Sequence, residues 1–500
     1  MTVIGQIRKG AYFDSVTLMR VGKEIAGRPG IVDAAVVMGT RANKAILEGS
    51  GLMIPSFENA GDTDLLVALK AKDRKAADAA LAALSAQLSK AISPTDAAAE
   101  KASPHSLDGA LKIMPDAQMA LISVAGRYAG LEAMKALNKG LHVMLFSDNV
   151  PLETEIELKQ LARKKGLLVM GPDCGTAIVN GTPLAFANVV RRGPIGIVAA
   201  AGTGLQEVST IISNEGSGIS QAIGVGGRDV KKEVGGLMFI EGIKALAADQ
   251  DTRVILLVSK PPHPDVLKKI RAAMTRVKKP IVSLFLGAGQ AGKDPQTLEE
   301  AALMAVELAR GGKPKAVTDC DEGTAPQPLR KGQKYIRGLF SGGTFCYEAQ
   351  ILLGNTLRDL YSNAPTANAR PLKNSLKSQK HTLIDLGEDE FTVGRPHPMI
   401  DFTFRNRRIQ QEAADPETAV ILLDVVLGYG AHPDPAGELR EVIRKASRQV
   451  CVICSVTGTD ADPQNRTHVV EALEAAGALV LPTNAAACRL AGQIVRQGRK

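Results

Sequence analysis

The stretch "IGIVAAAGTGLQEV", residues 195–208, runs from an apolar, strand-like segment through a Gly-Thr-Gly turn into a predicted helix. The first backbone N–H groups of a helix lack internal partners, and the helix dipole is positive at that end. Small residues let an anion approach these amides closely. The stretch therefore predicts either an anion-binding helix start at Gly202, Thr203 and Gly204 or, as the plainer alternative, a tight connection between a strand and a helix.

The same pattern occurs a second time further along the chain. The segment "IRGLFSGGTFCYEA", residues 336–349, aligns with the first stretch at a constant offset. This alignment pairs Thr203 with Thr344 and Glu207 with Glu348. A strand that ends in small residues and enters a helix carrying a carboxylate is therefore present twice.

Two further matches follow in the same order. The segment "AADQDTRVILL" matches "AADPETAVILL", and each is followed by a His-Pro-Asp sequence, at His263 and at His432, where a helix is predicted to begin. Three ordered matches indicate an internal duplication of residues 194–310 and 335–493. A period this long is typical of duplicated domains and not of a short-repeat solenoid.

The chain of 500 residues is longer than one hydrophobic core supports, so several domains are expected. The predicted fold class is multidomain α/β. The pattern of apolar and polar residues predicts a small α+β N-terminal domain, a Rossmann-like βα unit and two duplicated flavodoxin-like domains. Their predicted boundaries are 1–90, 108–193, 194–310 and 335–493.

Composition narrows the classes of function. The net charge is +9, but the basic residues are spread over many helices, and aromatic residues make up only 3% of the chain. This pattern favours small anionic substrates over nucleic acid. No apolar run reaches the ~20 residues of a membrane span, and the first residues lack a signal-peptide core, so a cytoplasmic protein is expected. The six cysteines are scattered without disulfide or zinc spacing, and no metal site is predicted.

Five segments together carry a family resemblance: "GLLVMGPDCGTAIVNG", "GPIGIVAAAGTGLQEV", "IGVGGRDV", "GLFSGGTFCYEA" and "ILLDVVLGYGAHPDPAGEL". On these segments the chain resembles the FdrA family, a branch of the succinyl-CoA synthetase superfamily, over nearly its whole length. In the synthetases one helix from each ligase domain points its N-terminus at a shared phosphate. The resemblance implies a phosphate-binding set in two turns: Gly202, Thr203, Gly204, Gly428, Gly430 and Ala431.

The resemblance also suggests catalytic residues. Glu207 matches the synthetase glutamate that contacts the active histidine, and Glu348 repeats it, although a carboxylate near a helix start also stabilises any helix dipole. His432 precedes Pro-Asp at a predicted helix start, where the dipole favours a neutral imidazole that donates a hydrogen bond. The alternative is that Asp434 simply caps the helix. The predicted catalytic residues are Glu207, His432 and Glu348.

Four residues are predicted to bind substrate. Gly343 and Thr344 repeat the first Gly-Thr turn. Arg395 and His397, in the proline-stiffened segment "VGRPHPMID", could hold an anion by charge-assisted hydrogen bonds, whereas the plainer alternative is a structural histidine.

The sequence also departs from the synthetase pattern. The synthetases relay a phosphoryl group on a histidine, but residues 283–305, "SLFLGAGQAGKDPQTLEEAALMA", contain none, so this relay is expected to be absent. The chain has no room for the nucleotide-binding module of a synthetase, so ATP binding by this chain alone is not expected. Its N-terminus replaces the glycine-rich CoA-binding loop, which leaves CoA binding open, with residues 123–130, "SVAGRYAG", as the candidate substitute.

The leading hypothesis is an enzyme, either a transferase or an acyl-CoA ligase, in which two helix starts hold inorganic phosphate as a substrate beside an activated carbonyl. The resemblance links FdrA proteins to oxamate carbamoyltransferase, which converts oxalurate and phosphate to oxamate and carbamoyl phosphate in allantoin and purine catabolism. One alternative is a succinyl-CoA synthetase-like, NDP-forming acyl-CoA synthetase subunit, and another is a non-catalytic scaffold or regulatory subunit. Each version implies companion subunits, and an oligomer is expected.

Overall fold

The computed structural model describes residues 2–11, 13, 15–92, 104, 106–288, 294–313, 329–392 and 396–498. Contacts group the chain into two compact units. The smaller contains Met1–Pro115 and Asp389–Asp401, and the larger contains Asp116–Glu388 and Phe402–Lys500. Most of residues 91–107 and 311–334, which separate the predicted domains, lies outside the described residues, as does Arg395.

The smaller unit is built on a three-stranded antiparallel sheet in the order β1-β3-β2. Its elements are β1 (Thr2–Arg8), α1 (Ser15–Ala26), β2 (Ile31–Met38), α2 (Arg41–Gly49), β3 (Leu65–Ala71), α3 (Arg74–Ile92) and α4 (Leu107–Ile113). The central strand is buried on both faces, because Leu65 and Val67 join one apolar cluster whereas Leu66 and Ala68 join another. This arrangement confirms the predicted α+β domain.

The larger unit opens with a small parallel sheet in the order β4-β5-β6. Its elements are β4 (Met119–Ile122), α5 (Gly126–Asn138), β5 (His142–Leu145), α6 (Leu152–Lys165) and β6 (Val169–Met170). Strands and helices alternate along the chain, as a parallel sheet requires. The predicted Rossmann-like βα unit is confirmed.

A six-stranded sheet follows, in the order β12-β11-β9-β10-β7-β8. Its elements are β7 (Thr176–Val179), β8 (Thr182–Ala185), β9 (Arg192–Ala200), α7 (Gly202–Asn214), β10 (Ile219–Gly224), α8 (Leu237–Ala248), β11 (Val254–Ser259), α9 (Pro264–Met274), β12 (Ile281–Phe285) and α10 (Leu298–Ala309). The strands from β9 to β12 are parallel. The hairpin β7–β8, which the sequence groups with the preceding unit, pairs with β10 and so belongs to this sheet.

A seven-stranded parallel sheet completes the unit, in the order β15-β14-β16-β13-β17-β18-β19. The elements of this part of the chain are β13 (Tyr335–Phe340), α11 (Gly343–Gly354), β14 (Leu360–Ser362), β15 (Arg370–Pro371), β16 (His381–Asp385), α12 (Asp389–Thr392), α13 (Thr403–Ala414), β17 (Thr418–Val426), α14 (Pro435–Ala446), β18 (Cys451–Thr457), α15 (Arg466–Ala475), β19 (Leu479–Leu481) and α16 (Asn484–Gln497). Helix α12 lies in the smaller unit.

The two larger sheets share one strand order. The order β12-β11-β9-β10 in the first sheet is repeated as β18-β17-β13-β16 in the second. Strands β11 and β17 are buried along their whole length, because a parallel sheet is covered by helices on both faces. The shared order agrees with the duplication that the sequence predicts, and it makes α7 and α11 equivalent helices.

No helix in the part of the chain that the structure describes is both long enough and apolar enough to cross a membrane.

A fully buried lysine ties the small parallel sheet to the six-stranded sheet. The ammonium group of Lys159, on α6, donates hydrogen bonds to Glu155 at 2.8 Å and to Asp229 at 2.9 Å. Asp229 also accepts the backbone N–H groups of Met238 and Phe239 at the start of α8. One buried cation therefore compensates carboxylates from both sides of this junction.

We expect Lys159→Met to destabilise the protein strongly, because Glu155 and Asp229 would stay buried without their shared cation. Breaking a buried ion pair in this way typically costs about 3–5 kcal/mol. Thermal unfolding followed by circular dichroism measures the effect. Lys164→Met, at an exposed position on the same helix, is the matched control, and equal melting temperatures for the two variants would contradict the expectation.

Candidate functional site

The starts of the two equivalent helices, α7 and α11, lie against each other. A Cβ atom added at Gly342 would come within 2.9 Å of the Thr203 hydroxyl oxygen, and one added at Gly204 would come within 3.0 Å of the Thr344 methyl group. The threonine of each Gly-Thr turn thus packs against a glycine of the other turn. The structure brings together the sequence-predicted residues Thr203, Gly204 and Thr344 from the two halves of the duplication.

The first turn is open. Gly202 is exposed, and a Cβ added there would meet no atom within 4 Å. Ala201, which precedes the helix, provides no side-chain cap. Among the described residues, no protein acceptor is bonded to the backbone N–H groups of Gly202, Thr203 and Gly204. This helix start therefore offers unused amides and a positive dipole end to an anion.

An internal carboxylate lies just before the second helix start. Asp424, on β17, accepts hydrogen bonds from the backbone N–H of Ser341 at 2.7 Å and of Gly342 at 3.0 Å. The buried guanidinium group of Arg405 in turn donates to Asp424 at 2.8 Å. The backbone N–H groups of Gly343 and Thr344, which match those of Gly202 and Thr203, have no protein acceptor among the described residues.

This difference between the two turns follows from one position of the repeat. The matched segments "RVILLVS" and "AVILLDV" place Val258 where the second copy has Asp424. The sequence reasoning missed this ion pair, although an aspartate inside an otherwise apolar strand is a visible signal, because buried carboxylates need a partner. A carboxylate therefore lies beside only the second of the two helix starts.

The two predicted catalytic glutamates hold the duplicated domains together. Glu348, on α11, accepts the backbone N–H of Leu298, the first residue of α10, at 2.7 Å. Glu207, on α7, accepts the backbone N–H of Asn484, the first residue of α16, at 3.0 Å, and also the Thr457 hydroxyl. Each carboxylate therefore caps a helix of the other domain, at an equivalent place.

A single asparagine connects these carboxylates. The Asn484 side-chain NH₂ donates to Glu348 at 2.8 Å, while its Oδ1 atom is buried without a hydrogen-bond partner. Burial raises the pKa of Glu207, and burial together with the charge of Glu207 raises the pKa of Glu348 to about 7. Both side chains are at most 2% exposed, so the geometry supports a role in positioning the helix starts and not direct contact with a ligand.

The third predicted turn, residues 428–431, packs against the segment before β9. The backbone N–H of Gly428 donates to the Gln464 side chain at 3.0 Å, and the N–H of Tyr429 donates to the Ala187 carbonyl at 2.9 Å. A Cβ added at Gly430 would collide with the Phe186 ring. Two amides of this turn are thus engaged within the chain, and phosphate binding by Gly428, Gly430 and Ala431 stays a prediction.

The two His-Pro-Asp sequences form the same local structure. His263 Nδ1 accepts the N–H of Asp265 at 3.3 Å, and His432 Nδ1 accepts the N–H of Asp434 at 3.1 Å. An imidazole that accepts at Nδ1 carries its proton on Nε2 when it is neutral. In the second copy, Asp434 itself caps α14 by accepting the N–H of Gly437.

Two other predicted sites do not involve the starts of α7 and α11. His397 belongs to the smaller unit, where its Nδ1 accepts the Met399 N–H at 3.3 Å, and its proposed partner Arg395 lies outside the described residues. In the candidate CoA loop, a Cβ at Gly126 would collide with the Asp148 carbonyl. This glycine serves close packing of the main chain, and CoA binding by residues 123–130 stays a prediction.

Three family models match the chain. The model described as CoA-ligase matches residues 339–494, the CoA binding domain matches residues 191–287, and the "AllF, heavy metal-associated domain" matches residues 1–104. The CoA-binding match falls on the segment whose sequence resembles the first ligase domain. Together with the duplicated sheets and their apposed helix starts, these matches define a succinyl-CoA synthetase-like protein of the acyl-CoA ligase superfamily.

Curated relatives agree with this class. "Uncharacterized protein YahF" from Escherichia coli (strain K12) is 40% identical over an alignment of 521 residues that covers 100% of both chains. The mitochondrial succinate–CoA ligase [ADP-forming] subunit alpha-2 of Trichomonas vaginalis is 28% identical over 181 residues, which are 35% of this chain and 57% of that protein. The chain therefore belongs to the succinyl-CoA synthetase-like family that includes YahF.

Similarity to solved structures is weaker. The dinucleotide-forming acetyl-coenzyme A synthetase 1 of Ca. Korarchaeum cryptofilum, in complex with phosphate and ADP, shares 15% identity with a TM-score of 0.32, over 76% of this chain and 83% of that one. A TM-score this low carries no argument about the site.

The family model that matches residues 1–104 is named for a heavy metal-associated domain, but the residues in this part of the chain do not fit a heavy-metal ion. Residues 1–104 contain neither cysteine nor histidine, the side chains that soft metal ions prefer. Within the described ranges, no group of three or more histidine, cysteine, aspartate or glutamate side chains is placed to hold a metal ion.

We expect the charge on Glu348 to make stability depend on pH. Its pKa is about 7 in the folded chain and ordinarily 4.5, so between these values the folded state holds a proton that the unfolded state has lost. Stability should therefore fall as the pH rises through this range, by a loss on the order of 3 kcal/mol at about 1.4 kcal/mol per pKa unit.

Glu348→Gln removes this titration, so its melting temperature should fall less than that of the wild type between about pH 5 and pH 8. The control is Glu441→Gln, at an exposed residue paired with Arg444. Parallel curves for the wild type and Glu348→Gln would show that this carboxyl titrates at its ordinary pKa.

Proposed function

We propose that this chain is an FdrA-type subunit that binds phosphate, or the phosphate of a mixed anhydride, at the start of α7, and that acyl transfer to or from phosphate takes place there. The observation that carries the proposal is the open turn at Gly202 and Thr203, whose amides have no protein acceptor among the described residues. Asp424 places a carboxylate just before the equivalent helix, whereas the first copy has Val258 at the matching position. An exogenous anion at the first turn would supply the negative charge that this copy lacks.

The chemistry follows from the placement of the donors. Backbone N–H groups and a hydroxyl group that are fixed before reaction stabilise negative charge as it develops on a phosphoryl or carbonyl oxygen. The Thr203 hydroxyl is half-exposed beside the open amides. Glu207 and Glu348, buried behind this site, keep the two helix starts in register across the domain interface.

Within this chemistry, the comparisons favour a subunit of an acyl-CoA ligase. The family models that match are named for CoA binding and CoA ligation, and the similarity extends to the alpha subunit of an ADP-forming succinate–CoA ligase. The chain would then obtain its nucleotide module from a companion subunit, and a small acyl anion would be its substrate.

A second candidate is the transfer of a carbamoyl group from oxalurate to phosphate, which gives oxamate and carbamoyl phosphate. One observation favours this reaction: residues 283–305 contain no histidine that could relay a phosphoryl group to a nucleotide. Phosphorolysis needs no such relay, because inorganic phosphate itself attacks the carbonyl carbon and the amide nitrogen leaves with a proton.

Gly202→Val tests the phosphate site. The valine side chain points into open space in the fold, so the protein should fold normally, but the branched side chain would block an anion from the amides. Removing a well-placed donor to a developing oxyanion typically costs about 10²- to 10³-fold in rate. Turnover is measured with the companion subunits present, by detecting carbamoyl phosphate or a CoA-dependent acyl phosphate.

The matched control is Gly227→Val, because Gly227 is also exposed and a Cβ there also meets no neighbour within 4 Å. This variant should retain the wild-type rate. Full activity of Gly202→Val in the reconstituted assembly would reject the phosphate site and favour a scaffold subunit.

A labelling experiment tests the missing relay. Incubation of this chain and its companion subunits with radiolabelled ATP should leave no acid-labile phosphate on a histidine of this chain, because the segment that carries the relay residue in the synthetases has none here. A complete succinate–CoA ligase serves as the positive control. Acid-labile label on this chain would contradict the proposed mechanism.

A further inference from the structure

The Thr203 hydroxyl is oriented by packing and not by a hydrogen bond, since it has no hydrogen-bond partner among the described residues. A β-branched side chain occupies one of a few defined χ1 rotamers, and the atoms that touch its two branches select the rotamer. A Cβ atom added at Gly342 would lie 2.8 Å from the Thr203 methyl carbon and 2.9 Å from its hydroxyl oxygen. The main chain of the other duplicated domain therefore determines where this hydroxyl points.

Gly342 is in turn held by a buried ion pair. Asp424 accepts the Gly342 N–H at 3.0 Å and both the N–H and the hydroxyl of Ser341 at 2.7 Å. The Nη2 atom of Arg405 donates to the Asp424 carboxylate at 2.8 Å and to the Asp424 carbonyl oxygen at 2.6 Å. Asp424 is 0% and Arg405 1% exposed. A continuous series of contacts thus leads from Arg405 to Thr203.

Stability alone does not account for this ion pair. The Nε and Nη1 atoms of Arg405 are buried without hydrogen-bond partners in the described part of the chain, which is unfavourable. Neutral side chains of similar size often replace a buried ion pair without loss of stability. In the first copy, Val258 occupies the position of Asp424, and its strand still pairs in register with β9. The repeated fold therefore forms without the pair, and the contact with Gly342 indicates another role.

Two other charged groups near the start of α11 lie beside the next residue, Gly343. Lys260 directly follows β11, and Asp385 ends β16. A Cβ at Gly343 would lie 2.5 Å from an Asp385 carboxyl oxygen and 3.4 Å from the Lys260 nitrogen, whereas the three atoms nearest to a Cβ at Gly342 belong to neither side chain. Asp424 is the carboxylate that is hydrogen-bonded to Gly342.

We propose that Arg405 and Asp424 are positioning residues for the phosphate site, and that they act across the domain interface by holding Gly342 against Thr203. The inference rests on the proposed function, because it concerns the hydroxyl donor at the open turn. Both residues are buried, so neither reaches the anion. The ion pair fixes the main chain before α11, and this main chain confines Thr203 to one rotamer. A donor that is oriented before the reaction stabilises developing charge without reorganising.

Methyl NMR of the full chain, labelled with ¹³C at the threonine methyl groups, measures the χ1 rotamer of Thr203 without any need for turnover. We expect one rotamer in the wild type. The double variant Arg405→Met/Asp424→Asn removes both buried charges together, so that neither remains uncompensated. In this variant the Thr203 methyl signal should show averaging between rotamers. A single, unchanged rotamer would overturn the proposal.

The matched control removes a different buried ion pair from the same helix, α13. Arg408 and Glu412 are bonded at 2.7 Å, and each side chain is 3% exposed. In the double variant Arg408→Met/Glu412→Gln, Arg337 loses one partner but keeps its contact with Asp415 at 2.6 Å. Thr203 should stay in its single rotamer here. Averaging in the control as well would show that any disturbance of this domain has the same effect, and would overturn the proposal.

Gly342→Ala reaches Thr203 without altering the ion pair, so the proposal can be tested even if the first double variant does not fold. The φ angle of Gly342 is −106°, which alanine adopts readily. The added methyl group would lie within 2.9 Å of the Thr203 side chain, which must then move. Thr203 should leave its wild-type rotamer, and an unchanged rotamer would contradict the proposed contact.

Turnover of the assembled enzyme shows whether this orientation matters for the reaction. Thr203→Val keeps the shape of the side chain, removes the hydroxyl and should lower the rate by about 10²-fold. The Arg405→Met/Asp424→Asn variant should lose about 10-fold or more, and adding Thr203→Val to it should bring the rate only to that of Thr203→Val alone, because both changes act on one interaction. Fully additive losses would overturn the proposal. An averaged Thr203 rotamer together with full activity of Thr203→Val would support the series of contacts and reject the hydroxyl's part in the proposed function.

Discussion

Two positive helix ends meet between the two duplicated sheets of the larger unit. Duplication of a strand–turn–helix unit, followed by packing of the two copies against each other, places the start of α7 beside the start of α11, with Thr203 on Gly342 and Thr344 on Gly204. Both ends carry unsatisfied N–H groups and partial positive charge. Negative charge close to such ends is therefore stabilising.

The compensation differs between the copies. In the second copy, Asp424 accepts the N–H groups just before the helix and is itself held by Arg405. In the first copy the equivalent residue is Val258, and the turn at Gly202 is open. The two copies of the duplicated unit thus differ in the charge that lies beside the helix start. Buried carboxylates on both helices then fix the halves to each other, because each one caps a helix of the opposite domain.

Much of the fold could be predicted from the amino-acid sequence. The repeated Gly-Thr turns and the matched Val-Ile-Leu-Leu runs predict two related parallel sheets, and both sheets show the same order of four strands. The alignment of Thr203 with Thr344 agrees with their equivalent places at the starts of α7 and α11, but the contact between these starts was not predicted, because the resemblance pairs the first turn with residues 428–431. The partners of Glu207 and Glu348 could not be predicted, since the residues that bond them, Asn484 and Leu298, are far away in the chain. Hydrophobic periodicity reports which face of an element is buried but not which element covers it.

The sequence by itself determined the layers, the duplication and the presence of small residues at two helix starts, because these depend on local periodicity and on the space that glycine leaves. Only the tertiary structure decided which groups surround each helix start, which carboxylates are structural and where Lys260 lies. Those properties depend on contacts between distant segments, such as the one that brings Lys260 of one domain to Asp385 of the other. A charge acquires its role from the groups that surround it, and in this protein those groups come from the opposite half of the chain.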